Sequence, residues 1–181
     1  MAGLGLGESA WVRGAQAGSV SDLEKLFRAH WPRAYRAAFL VVRDGAAAED
    51  IAQEAFLAAV RSLDRFDRRR PFGPWLHRIV VNRAIDWARA RALRGEVSGQ
   101  VETEAAASVP DPPPGGNPLS GEIAAGLAAL SPEHRAVIVL RHLLEYTPGE
   151  IADLLELPRG TVNSRLRRGL DELRDRLLEA E

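Results

Sequence analysis

Residues 95–118 divide this chain. They hold Gly, Ser, Glu and the run Pro110-Asp111-Pro112-Pro113-Pro114-Gly115-Gly116, with almost nothing to bury. Proline fixes φ and removes a backbone donor, and glycine leaves the backbone loose, so such a stretch joins packed units rather than entering one. The 181 residues therefore resolve into an N-terminal block, 1–94, a flexible Pro/Gly/acidic linker, 95–117, and a C-terminal block, 118–181. Alanine, leucine and arginine dominate both blocks, with few β-branched runs and no alternating strand pattern. The expected fold class is all-α, as two small helical domains on a tether.

Local signals place the helices. Residues 8–17 suit a short helix stopped by Gly18, and residues 1–8 read as disordered. Ser21-x-x-Glu24 has the form of a capping box, opening a helix with Leu23, Leu26 and Phe27 on one side. Pro32 predicts a new helix or a kink running toward Val42, and Asp44-Gly45 a break. Further helices are expected over 46–63 and 72–94, then from Leu119 onward, with Ser131-Pro132 and Thr147-Pro148 each starting one.

Charge is segregated along this framework. The formal net charge is only −1, yet residues 61–94 carry ten arginines against Asp64, Asp67 and Asp86, while residues 96–122 carry five acids and no base. Two basic working faces on either side of an acidic tether fit that distribution. The chain has no cysteine, so thiol chemistry and disulfide frameworks are excluded and a reducing cytoplasm fits. No signal pattern and no apolar run near the roughly 20 residues of a membrane span are present. His30, His77, His134 and His142 show no metal-ligand spacing, and no phosphate loop, paired catalytic carboxylates or nucleophile–base pair stands out. Neither an enzyme nor a cofactor or metal is expected.

The C-terminal block carries the sharpest motif. Tyr146-Thr147-Pro148-Gly149-Glu150-Ile151-Ala152, followed by Leu157-Pro158-Arg159-Gly160-Thr161-Val162-Asn163-Ser164-Arg165-Leu166-Arg167-Arg168, reads as a helix-turn-helix. Thr147-x-x-Glu150 is a capping box with Pro148 at the first helical position. Ile151, Leu154 and Leu155 form one apolar stripe, and Val162, Leu166 and Leu170 repeat at helical spacing in the second helix. That leaves Arg159, Asn163, Arg165, Arg167 and Arg168 to face outward. Arginine and asparagine read guanine and adenine edges bidentately, and neighbouring arginines and hydroxyls hold phosphates. A tether of about 23 residues reaches ~80 Å extended and ~25–30 Å on average, against ~35–70 Å for one to two duplex turns, so both blocks can touch one duplex.

In the N-terminal block, Ile51, Ala55 and Ala59, with Ala48 and Ala52, face the core, while Asp50, Gln53, Glu54 and Leu57 share a neighbouring face at i, i+3, i+4 and i+7. A polar, acidic strip ending in an exposed leucine suits a docking partner as well as it suits solvent. Phe66-Asp67-Arg68-Arg69-Arg70-Pro71 and the helix after it form a second basic surface. There Arg68, Arg69, Arg70, Arg78 and Arg83 provide a field that can track a nucleic-acid backbone. Trp75, between Phe72 and Leu76, reads as core rather than as a base-stacking platform; Trp87 has no assigned role.

Three segments in order, 47–60 (Ala47-Ala48-Glu49-Asp50-Ile51-Ala52-Gln53-Glu54-Ala55-Phe56-Leu57-Ala58-Ala59-Val60), 63–87 (Leu63-Asp64-Arg65-Phe66-Asp67 through Pro74-Trp75-Leu76-His77-Arg78-Ile79-Val80-Val81-Asn82-Arg83-Ala84-Ile85-Asp86) and 119–178, resemble regions 2.2, 2.3–2.4 and 4 of a group IV, or extracytoplasmic-function, sigma factor of bacterial RNA polymerase. The resemblance covers about 9–94 and 118–178. It implies a non-enzymatic subunit that binds core RNA polymerase (β′ clamp helices and β flap) and directs it to promoter DNA. It assigns Asp50, Gln53, Glu54 and Leu57 to the clamp helices. Phe66 falls at a pocket for an unstacked −10 base, with Asn82 reading a base edge beside Arg68, Arg69, Arg70, Arg78 and Arg83. Arg159, Thr161, Asn163, Ser164, Arg165, Arg167 and Arg168 fall on the −35 duplex. Family members often carry a basic residue where this chain has Asn163, which gives up a phosphate contact there. The resemblance also implies an anti-sigma partner, a cytoplasmic location (at the membrane only through that partner), no small-molecule substrate and no membrane insertion. A self-standing regulator would need a ligand or phosphoacceptor domain, for which 9–94 has no strand–helix alternation. A nucleic-acid enzyme would need a metal or acid/base constellation that the sequence does not display.

Overall fold

The computed structural model describes residues 5–94 and 121–179, and within them every regular element is helical. Helices α1 (Gly5–Gln16), α2 (Val20–Val42), α3 (Gly45–Ser62) and α4 (Phe72–Leu93) pack on one another. Helices α5 (Gly121–Ala129), α6 (Pro132–Ile138), α7 (Pro148–Leu155) and α8 (Arg159–Glu179) form a second group. A 3₁₀ turn, Leu63–Arg65, follows α3, and a wide π turn, Val139–Leu143, follows α6. The expected linker, 95–117, lies outside the described residues.

The first group is built on small side chains. Ala47, Ala48, Ala52, Ala55 and Ala59 of α3 are buried with Ile51 and Phe56, so the stripe read from the sequence is the one that faces the core. Small residues let α2 and α4 approach α3 closely; Leu26, Val41, Leu76, Val80 and Val81 fill the space between. Asp44 caps α3 by accepting a hydrogen bond from the Ala47 amide at 3.0 Å, and Arg43 before it takes the left-handed conformation that ends α2.

Two local expectations are corrected. Helix α2 runs through Pro32 rather than restarting there. The missing amide costs ~3 kcal/mol, but each fully buried large aliphatic side chain returns ~1.5–3 kcal/mol, and α2 buries apolar residues on both sides of the proline. The cap of α2 is Ser19, which accepts from the Asp22 amide at 3.3 Å, so Ser21 lies inside the helix and Glu24 instead pairs with Arg28 at 2.6 Å. A third correction concerns α8. Val162 and Leu166 are buried, but Leu170 is 41% exposed. The buried row shifts to Gly169 and partly buried Leu173. A Cβ on Gly169 would come within 3.0 Å of Ile138 Cδ1 and 3.2 Å of His134 Cβ, so the glycine is what lets α8 lie on α6.

The two groups meet where α6, α7 and the π turn lie against α2 and α4. Arg135 of α6 is buried and its guanidinium donates to three carbonyls: Val41 of α2, and Ala128 and Leu130 at 2.8 Å each. His77 Nδ1 of α4 is 2.8 Å from the Tyr146 hydroxyl, and Arg89 of α4 pairs with Glu133 at 2.6 Å.

Candidate nucleic-acid interface

The connection from α3 to α4 forms an open cleft of about 350 Å³ lined by Ser62, Arg65, Phe66, Asp67, Arg70 and Trp75. Phe66 is buried, and its ring sits 4.6 Å from Trp75 and 5.9 Å, edge-on, from Phe72. Trp75 thus belongs to the core and to the cleft wall together, where the sequence presented these roles as alternatives. The rim is a tight turn: the Arg70 amide donates to the Asp67 carbonyl at 2.9 Å, and the Arg69 amide to the Asp67 carboxylate at 3.0 Å. The Arg69 guanidinium also grips that carboxylate, which holds Asp67 below the usual carboxylate range. Arg68 and Arg70 are exposed, and no ion pair among the described residues engages them. An aromatic floor, an acceptor and uncommitted cations at one opening suit a stacked, unpaired base and its phosphates.

Helix α4 carries the rest of this surface one turn at a time. Arg78, Asn82 and Arg83 are half-buried along it. Two of the three are already committed: Arg78 pairs with Glu156 at the end of α7, and Arg83 with Glu54 of α3 at 2.6 Å. The second pair joins a residue expected at DNA to one expected at a protein partner. On α3, Asp50, Gln53, Glu54 and Leu57 are all exposed on one face, Leu57 to 55%, with Val60 continuing the apolar end.

The second basic surface is α8. Its start is fixed by α7, where both halves of the Thr147/Glu150 capping box form: the Thr147 hydroxyl accepts from the Glu150 amide at 3.3 Å, and Glu150 accepts from the Thr147 amide at 2.7 Å. Those bonds hold Glu150 below its ordinary carboxylate range. Glu156 turns the chain in the left-handed region, and α8 begins at Arg159. Arg159, Asn163, Arg167 and Arg168 are exposed, Thr161, Ser164 and Arg165 half-buried, and the Ser164 hydroxyl donates back to the Thr161 carbonyl at 2.9 Å. No ion pair among the described residues engages Arg159, Arg167 or Arg168, which leaves their charge for an anionic partner, while Arg165 acts electrostatically on Glu133.

Sequence reasoning missed several residues that build these surfaces. The helix expected over 8–17 begins earlier, at Gly5, and its Glu8, assigned no role from the sequence, accepts from the Phe72 amide at 2.7 Å and the Gly73 amide at 3.3 Å. Gln16 donates to the carbonyls of Leu63 at 2.7 Å and Phe66 at 3.1 Å. His77 is buried, and desolvation, with His30 and Arg33 adding to it, pulls its pKa down to about 3. Burial likewise pushes the Tyr146 phenol up. Such contacts span 47 to 69 residues of sequence, and no local pattern signals them.

Residues 26–94 match the family description Sigma-70 region 2, and residues 126–175 match Sigma-70, region 4. The chain is 37% identical over 140 residues to the ECF RNA polymerase sigma factor SigW of Bacillus subtilis, covering 72% of this chain and 75% of that protein. It is 33% identical over 165 residues to the RNA polymerase sigma factor CarQ of Myxococcus xanthus, covering 91% and 94%. Among solved structures it is similar to CnrH in complex with the cytosolic domain of CnrY, with a TM-score of 0.69, 27% identity and coverage of 97% and 99%. The fold is shared with the sigma factor RpoE in complex with the anti-sigma factor NepR from Bartonella quintana, with a TM-score of 0.70, 22% identity and coverage of 90% and 99%.

Proposed function

The chain belongs to the ECF RNA polymerase sigma factors, a family of transcription initiation factors rather than enzymes, and from that premise we propose that it directs core polymerase to a promoter set through surfaces on both helical groups. The exposed strip Asp50, Gln53, Glu54 and Leu57 docks on the β′ clamp helices. The Phe66–Trp75 cleft, with Arg68, Arg69 and Arg70 at its rim and Arg78, Asn82 and Arg83 along α4, captures an unstacked non-template base of the −10 element. The arginine face of α8, with Thr161, Asn163 and Ser164, reads the −35 duplex, and the C-terminal group as a whole docks on the β flap. Residues 1–94, 95–117 and 118–181 act as the melting domain, the tether and the duplex-reading domain. The solved neighbours bound to CnrY and to NepR favour control by an anti-sigma factor in the cytoplasm.

The observation that carries this reading is the cleft. Stacking a base on an aromatic surface contributes ~1–3 kcal/mol without selecting among the four bases, so selection falls to the polar rim. Asp67, Arg65 and Arg70 supply acceptor and donors there. Arg78 is paired with Glu156, so its contact with DNA requires that pair to open. The test is initiation by core RNA polymerase plus this protein on promoters randomised at both elements. Recovery of a defined −35/−10 pair supports the proposal; initiation with no preference at either element, or none at all, overturns it.

A further inference from the structure

Helix α1 lies outside the residues that match the sigma-70 regions, yet it grips both ends of the segment that forms the cleft. The N-cap of α4 is Pro71, which offers no capping side chain. Glu8 fills the gap: one carboxylate oxygen accepts from the Phe72 and Gly73 amides, and the other lies 3.7 Å from His30 Nε2. A carboxylate at a helix N-terminus satisfies orphan amides and complements the dipole. Two turns further along α1, the Gln16 amide donates to the Leu63 and Phe66 carbonyls. Leu63 closes the 3₁₀ turn by accepting from the Phe66 amide at 3.0 Å, so Gln16 sets where that turn ends and the cleft floor begins.

The consequences converge on the rings. Phe72, whose amide Glu8 holds, lies edge-on to Phe66 and to Trp75 and 5.2 Å from His30. Phe66, whose carbonyl Gln16 holds, is the ring against Trp75. Neither Glu8 nor Gln16 lines the cleft. We propose that α1 is a brace for base capture, with Glu8 and Gln16 as positioning residues that fix the spacing and tilt of the Phe66–Trp75 floor relative to the Asp67–Arg70 rim. The brace thereby sets how sharply one base is preferred. This inference rests on the sigma-factor reading.

The test uses the full chain with core RNA polymerase on the same randomised promoters, comparing wild type with Glu8→Ala, Glu8→Gln and Gln16→Ala. Glutamine at position 8 still accepts from the two amides, so it is the conservative control. Glu8→Ala and Gln16→Ala are expected to flatten the preference at the captured −10 position about tenfold while the −35 preference stays as in wild type, and Glu8→Gln to retain most of the −10 preference. Amide hydrogen exchange of the free variants gives the second readout, with protection at Phe72 and Gly73 lost in Glu8→Ala and kept in Glu8→Gln. Unchanged −10 preference after that protection is lost overturns the brace. So does a uniform fall in activity across all promoters that tracks loss of folded protein. Absence of any −10 preference in the wild type is a different outcome, because it removes the sigma-factor reading itself.

Discussion

Lowering the pH from about 7.5 to about 5 weakens this protein through His77, by an amount the structure sets. The ring is buried between α2, α4 and Tyr146; its Nδ1 meets the Tyr146 hydroxyl, and its Nε2 has no hydrogen-bond partner among the described residues. The second proton that would make the ring an imidazolium puts a desolvated charge in this pocket, with His30 and Arg33 nearby, which is why the pKa falls from 6.5 to about 3. The unfolded chain binds that proton as the pH drops through 6.5, and the folded chain refuses it until about 3, so stability is present above the first value and lost toward the second. At about pH 5 the unfolded ring is ~97% protonated and the folded ring ~1%, a loss of about 2 kcal/mol relative to about pH 7.5. The assay is urea denaturation followed by tryptophan fluorescence at both pH values, for wild type and His77→Gln, which can still meet Tyr146 but does not titrate. The wild type is expected to lose about 2 kcal/mol more than the variant over this interval. Equal losses in the two proteins would refute the assignment of a neutral, desolvated His77.

Two further predictions follow from the packing. Arg135→Met strands the Val41, Ala128 and Leu130 carbonyls, each unpaired buried group costing ~1–3 kcal/mol before water relieves it, so a stability loss of about 3 kcal/mol is expected in urea melts, and a loss under ~1 kcal/mol would contradict the buried role of the guanidinium. Leu166→Ala is expected to cost ~2–5 kcal/mol and Leu170→Ala under ~1 kcal/mol by circular dichroism melts, since Leu166 is buried and Leu170 exposed; a loss at Leu170 as large as that at Leu166 would restore the apolar row first read from the sequence.

What the sequence disclosed and what it hid differ by range. Helices whose ends carry local chemistry were legible: Ser131, Thr147 and Asp44 each sit where their helix begins, and the Thr147/Glu150 box forms as its spacing implies. The core row of α3 was legible because 3.6-residue periodicity repeats over five turns. Pro32 was read as starting a new helix or a kink, and no new helix starts there, because the local cost of proline is fixed while the burial that offsets it depends on α3 and α4. Leu170 misled because the i+4 step from Leu166 and the i+3 step to Gly169 are both helical, and a glycine gives no hydrophobic signal even where it makes the closest contact. The basic run around the cleft was visible in the sequence and Phe66 entered only through the sigma-factor resemblance, while Glu8, Gln16, His77 and Arg135 act across the chain. Polar residues that satisfy distant backbone groups look, in sequence, like ordinary surface.

The measurement that bears most directly on the account is co-elution of the purified protein with bacterial core RNA polymerase, for wild type and for Asp50→Arg combined with Leu57→Asp. Both substitutions lie on the exposed face of α3 and keep both partners of the Glu54–Arg83 pair. The account predicts a stable complex with wild type and its loss in the double variant at unchanged thermal stability. No complex with wild type, or undiminished binding by the double variant, would contradict it.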